Sequence, residues 1–285
     1  MASRLAKPSI GQVDIQCSPI VSSQERFNQN DSCVLLEMVN CRLGGIFSAT
    51  PQIFHTPILL YLAHPSFSPE AAMSRIPSLE SQLDPHTLSI WQSIKTPFDI
   101  QTYLDSLTYM HEDLDRCPLR VMQDGQCHCL DGGLLAAAGL RRIGFLPQLL
   151  DLVPAAGLDD DHVLAVYQIN GKYGAVAKSN FAGLRFREPV YRSLRELAMS
   201  YFEVFFNVEG IKTLRGYTRP LKLTAFDQFQ WETTQEGTLR VVQKFYSLRS
   251  IALISEEEAA ALHPLDQRSY DANTHGTDFN ELYQA

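Results

Sequence analysis

No window of this chain reaches the roughly 18 to 20 uninterrupted apolar residues that a membrane span requires. Met1 to Gln16 carries Arg4 and Lys7 but no apolar stretch, so no secretory leader is expected. There is no Lys/Arg-rich run. Lys+Arg number 24 against 32 Asp+Glu, a net charge of -8, and phosphate binding wants a basic face. Nucleic acid is therefore not an expected partner, nor is a membrane. Cysteines are sparse: Cys17, Cys33, Cys41, Cys117, Cys127 and Cys129. In a chain this long, with no leader expected, they read as free thiols and not a disulfide frame, and one C-x-C pair without a second knuckle speaks against a structural zinc site. Free thiols in a reducing cytoplasm follow, with no metal and no cofactor expected. Internal repeats and low-complexity segments are also missing.

What is there suffices for a core. Hydrophobic residues make up 45% of 285 and charged residues 20%. Residues 1–30 read as a loose polar arm. The apolar runs at 34–39 and 58–62 do not by themselves separate strand from buried helix. Ser66 to Pro85 reads as a connection rich in Ser and Pro. Asp99 to Met110 shows helical spacing of Ile100, Tyr103, Leu104 and Leu107. A small-residue helix opens near Cys129 and stops at Gly144. Strands are expected at 147–153 and 162–169. Asn170-Gly171 forms a hairpin turn, and Tyr173 to Lys178 returns as the partner strand. A long helix is expected from Pro189, with Val190, Leu194, Leu197, Ala198, Tyr201, Phe202 and Phe205 as its apolar stripe. Leu239 to Val242 reads as a strand, Leu253 to Leu262 as a helix, and the tail from Pro264 as weakly ordered.

The chemistry concentrates at Gly125 to Leu140. A thiol at a helix N-terminus gains from unpaired N–H groups and the helix dipole, and the same N–H groups can hold an oxyanion. Cys127 and Cys129 compete for this place. His162, opening a strand, can serve as base for a thiol nucleophile. One of Asp159, Asp160 and Asp161 could raise that histidine's pKa and favour an imidazolium–thiolate pair. Against this stands a plain reading of each cysteine as a small buried hydrophobe. A metal reading groups Cys117, Cys127, Cys129, His111 and His128. Arg185, Arg187 and Arg192, with Glu188 and Glu196, could bind a carboxylate or simply form a solvated ion-pair network.

The run Cys129-Leu130-Asp131, then Leu134-Leu135-Ala136-Ala137, then Gly144, resembles the nucleophile helix of the transglutaminase-like superfamily, a papain-like cysteine fold. In that pattern an acidic residue stands two after the cysteine and a glycine about fifteen after it. Counting from Cys129 meets both and counting from Cys127 meets neither. The segments 160–163, 174–180 and 184–192 resemble a poorly characterised branch of the same superfamily.

The resemblance implies an α+β fold, with the nucleophile helix packed on an antiparallel sheet. It covers about residues 95–220, flanked by extensions at 1–94 and 221–285. It also implies Cys129 as nucleophile and His162 as base, acting on an amide or thioester of a small molecule or peptide, with water or an amine as acceptor. Asp131, Tyr173, Lys178 and Arg185 are the expected substrate-binding residues. The family's aspartate after the hairpin aromatic is missing beyond Tyr173. Asn180 is the expected substitute, with Ser179 as the alternative, and the gap leaves open a binding protein that kept the fold and lost its triad.

Overall fold

The computed structural model describes residues 77–111 and 114–282, all within the compact unit Ser68–Ala285. The readings for residues 1–30, for the apolar runs up to residue 62 and for Cys17, Cys33 and Cys41 lie outside the described residues, as does the connection as far as residue 76. Among the described residues no helix is long and apolar enough to cross a membrane.

The chain opens with helices α1 (Pro85–Ser93) and α2 (Pro97–Ser106), strand β1 (Thr108–Tyr109), α3 (Pro118–Asp124), β2 (Gln126–Cys127) and α4 (Cys129–Arg142). It continues through β3 (Gln148–Pro154), β4 (His162–Ile169), β5 (Lys172–Val176), β6 (Arg187–Tyr191), α5 (Leu194–Met199), β7 (Leu214–Thr218) and β8 (Leu221–Lys222). It ends with α6 (Gln235–Phe245), β9 (Ser250–Ala252), α7 (Glu256–Ala260) and α8 (Gln267–Asn273). Strands β3 to β9 form one antiparallel sheet in the order β6-β5-β4-β3-β7-β9, with β8 added beside β3, while β1 and β2 pair in parallel as a separate two-stranded sheet. The fold is α+β.

Strand alternation sorts the core into two layers. Leu149, Val163, Ala165 and Tyr167 pack with the apolar side of α4. Leu150, Leu152, Leu164 and Val166 face the other way, onto Leu197, Tyr201 and Phe205. The glycines of α4 permit its close approach: a Cβ on Gly133 would lie 2.8 Å from Val163 Cγ1. The β4–β5 hairpin turns through Asn170 (φ 53) and Gly171 (φ 76), as the Asn-Gly pair requires.

Several local readings change in three dimensions. The helix expected over 99–110 ends at Ser106, because Leu107 turns extended and Thr108-Tyr109 pairs with β2. The long helix from Pro189 does not form: Pro189 lies in edge strand β6, where a missing N–H is tolerated, and α5 starts only after the Ser193 cap. Leu239 to Val242 is helical rather than extended. Thr238, Val241 and Phe245 bury one face of α6, a helical spacing that outweighs the short β-branched run. Helix α7 covers only part of 253–262. The tail is not loose: Asp266 caps α8, and residues beyond it bond to Asn180. Residues of both expected extensions enter the common core, Trp91 from one and Val241 and Phe245 from the other.

Candidate active site

Cys129 is the first residue of α4, and His128 is its N-cap, with Nδ1 accepting the Leu130 N–H at 3.3 Å. Cys127 sits in β2, sealed in the core, where burial pushes its thiol up to about 12. The two thiols thus take different places, and Cys129 lines a cavity.

That cavity measures about 50 Å³ and is walled by Cys129, His162, Asp161, Asn180, Leu184 and Phe205, among others. The Cys129 thiol donates to the Asp161 carbonyl at 3.8 Å, so the sulfur lies beside the backbone that carries His162. His162 opens β4 opposite Leu152. Its ring projects on the face away from the body of α4, 6.5 Å from the rings of Tyr201 and Phe205. Helix tip and imidazole meet only at the end of the strand. Among the described residues no hydrogen bond joins sulfur and ring; each is bonded to a backbone carbonyl instead.

His162 Nε2 stands 2.6 Å from the Leu184 carbonyl oxygen. A carbonyl only accepts, so Nε2 carries the proton and the Nδ1 lone pair is free. Burial lowers the ring's pKa to about 4, and the Arg187 guanidinium adds to this while the Leu184 bond opposes it. Burial raises the Cys129 thiol well above its ordinary value, and Asp161, Asp160 and Asp151 push it further. Both shifts run against the expected imidazolium–thiolate pair at rest. Burial is the main cause for both groups and favours the neutral form of each; the acidic residues before His162 reinforce this at the sulfur.

Other sequence-predicted residues fall in different places. Asn180 walls the cavity, but its carboxamide bonds to the backbone of Asp278; the Leu184 carbonyl holds the ring in its stead. Ser179 caps Phe181 N–H. Asp131 is buried away from the cavity and accepts the Arg116 N–H at 2.6 Å. Tyr173 pairs with Tyr191 in the sheet. Lys178 is buried, and its ammonium caps the C-terminal end of α2 by donating to the carbonyls of Leu104, at 2.8 Å, and Leu107. Arg185 pairs with Asp105 at 3.0 Å. Arg187 lies over the Tyr201 ring, 3.8 Å from its centroid, and Arg192 makes an exposed pair with Glu196. Sequence reasoning missed Leu184, which acts through its backbone, and Glu281 and Leu282 of the tail, which also wall the cavity.

The cysteine-based metal grouping does not assemble among the described residues. Asp115, His128 and Asp131 converge instead, with His128 Nε2 3.4 Å from Asp131 Oδ2 and 3.8 Å from Asp115 Oδ1. His128 Nδ1 accepts the Leu130 N–H, and its Nε2 faces the two carboxylates with no hydrogen bond to either.

No family model matches the chain, and no curated protein matches it. Solved structures of Legionella pneumophila LapG are similar at a low level. An EGTA-treated form is 15% identical at a TM-score of 0.27, the match covering 35% of this chain and 66% of that one. Another LapG structure is 14% identical at a TM-score of 0.27, covering 43% and 91%.

Proposed function

We propose that the chain is a cysteine-dependent acyl-transfer enzyme of transglutaminase-like architecture, with Cys129 as nucleophile and His162 as base. One observation carries this reading: the helix-tip thiol and an imidazole with its Nε2 already anchored wall the same cavity. The anchor leaves Nδ1 as the only ring atom that can take a proton. Leu184 is a positioning residue that acts through its carbonyl.

The reaction starts from a neutral pair. The thiol leaves the Asp161 carbonyl, its proton passes to His162 Nδ1, and the sulfur bonds to the carbonyl carbon of an amide or thioester. The Cys129 N–H, at the positive end of α4, stabilises the oxyanion. His162 returns the proton to the departing amine or thiol as its bond to carbon breaks, leaving a thioester on Cys129. Water or an amine then attacks that thioester, giving its proton to His162 and releasing the sulfur. Asp131, Tyr173, Lys178 and Arg185 have no role in these steps.

The test is incubation with a small aryl thioester, followed by intact mass and peptide mapping. An acyl adduct on Cys129 is expected, formed at least about 100-fold more slowly in His162→Gln, in line with the usual contribution of a general base. No adduct, or equal acylation of Cys117 and Cys127, overturns the reading. What would then stand is a binding protein, which the neutral, carbonyl-bonded thiol also fits.

A further inference from the structure

The cavity is walled on one side by Glu281 and Leu282, the end of a segment spanning residues 277–282. Asn180 grips this segment at two points: Nδ2 donates to the Asp278 carbonyl at 2.7 Å, and Oδ1 accepts the Asp278 N–H at 3.0 Å. The Thr277 hydroxyl donates to the Asn180 carbonyl at 3.0 Å. Across the cavity the His111 N–H donates to the Glu281 carboxylate at 2.7 Å. Glu281 and Leu282 wall the cavity with Cys129, and Leu282 is 7% exposed. Helix α8 holds the start of the segment, with Tyr270 against Phe206.

Binding both the N–H and the C=O of one residue recognises backbone without regard to its side chain, and after Asp278 the segment turns through the 3-10 helix Phe279–Glu281. The remaining contacts read side chains: a carboxylate three residues on, at the His111 N–H, and an apolar group four residues on. Most of these hydrogen bonds are exposed, so the segment can lift while the core stays folded.

We propose that Asn180, the His111 N–H and the Leu282 subsite form a binding groove beside Cys129 for a peptide that makes a single 3-10 turn, as Phe279–Glu281 does here. The chain's own residues 277–282 occupy it in cis as an autoinhibitory strap. The ligand class is a peptide with a carboxylate and then an apolar residue at the third and fourth positions after the one gripped by Asn180. That such a peptide supplies the acyl group rests on the reading under "Proposed function"; the strap does not.

The experiment measures iodoacetamide alkylation of Cys129 at alkaline pH by peptide mapping, with Cys117 and Cys127 as internal references. It compares the full chain, a form ending at Gly276, and full-length Asp278→Pro, which lacks the N–H that Asn180 accepts. Alkylation of Cys129 alone should rise about tenfold in the shortened form, and by less in Asp278→Pro. A synthetic peptide spanning Thr274 to Leu282, added to the shortened form, should slow it again. Rates within about twofold in all three proteins, no protection by the peptide, or an equal rise at Cys117 and Cys127 would each overturn the strap. Alkylation needs no turnover, so the two proposals fail separately. A selective rise without thioester acylation keeps the strap and removes the enzyme, whereas equal acylation with and without the segment does the reverse.

Discussion

The Nε2 atom of His162 lies 2.6 Å from the carbonyl oxygen of Leu184, 22 residues further along the chain. This contact sets the tautomer of a buried ring that no acidic side chain touches. Its consequences can be measured.

His162 should titrate near 4 rather than near its ordinary 6.5, because burial disfavours the charged ring. Between those values the unfolded chain binds a proton that the folded chain refuses. Stability therefore falls as pH drops through that window and is unaffected by this group above it. The loss from this residue is roughly 3 kcal/mol when complete. Proton NMR of the ring gives the pKa directly, and urea midpoints of the wild type and His162→Gln at two pH values give the energy. A ring that titrates near 6.5 would contradict the buried placement.

Gly133→Ala should destabilise the protein. Alanine gains about 1 kcal/mol of helix propensity, but its Cβ would lie 2.8 Å from Val163 Cγ1, and overpacking costs about 1–3 kcal/mol. The net expected loss is about 1 kcal/mol. Val163→Ala added to Gly133→Ala should recover stability, whereas Val163→Ala alone should lower it. Additive losses in this cycle would show that α4 does not rest on β4 at that point.

Lys178→Met should cost about 2–3 kcal/mol, since it strips two backbone carbonyls at the end of α2 of a charged donor. Chemical denaturation reads this. Thioester acylation of Cys129, measured well below the new midpoint, should change little. Unchanged stability with a selective loss of acylation would return Lys178 to the substrate-binding role that the sequence suggested.

The helix tip at Cys129, the stop at Gly144 (φ 96), strands β3 and β4 and the Asn170-Gly171 turn are all legible in the sequence. Each depends on neighbours a few residues apart: a left-handed glycine, a turn pair, a local run of apolar residues. Local signals left Cys127 and Cys129 both open for the helix tip; the resemblance's spacing to Asp131 and Gly144 favoured Cys129, which opens α4. Where local signals conflicted, the reading failed. Pro189 suits the first turn of a helix and equally an edge strand, and only pairing with β5 selects the strand. The Val241-Val242 pair suggests extension, until burial against α4's layer favours a helix.

By itself, then, the sequence determined the helix that Cys129 opens, the strand that carries His162 and a chain suited to an α+β core. Tertiary structure alone decided which face of the sheet the ring occupies, that a backbone carbonyl anchors it, that burial favours the neutral forms of Cys129 and His162, and that Lys178 caps a helix. It also turned Asn180 from the imidazole toward the C-terminal segment. The physical reason is range. Helix ends and turns follow from torsional preferences of adjacent residues, whereas burial, desolvation and carbonyl partners depend on groups tens of residues away, and a carbonyl is common to every residue.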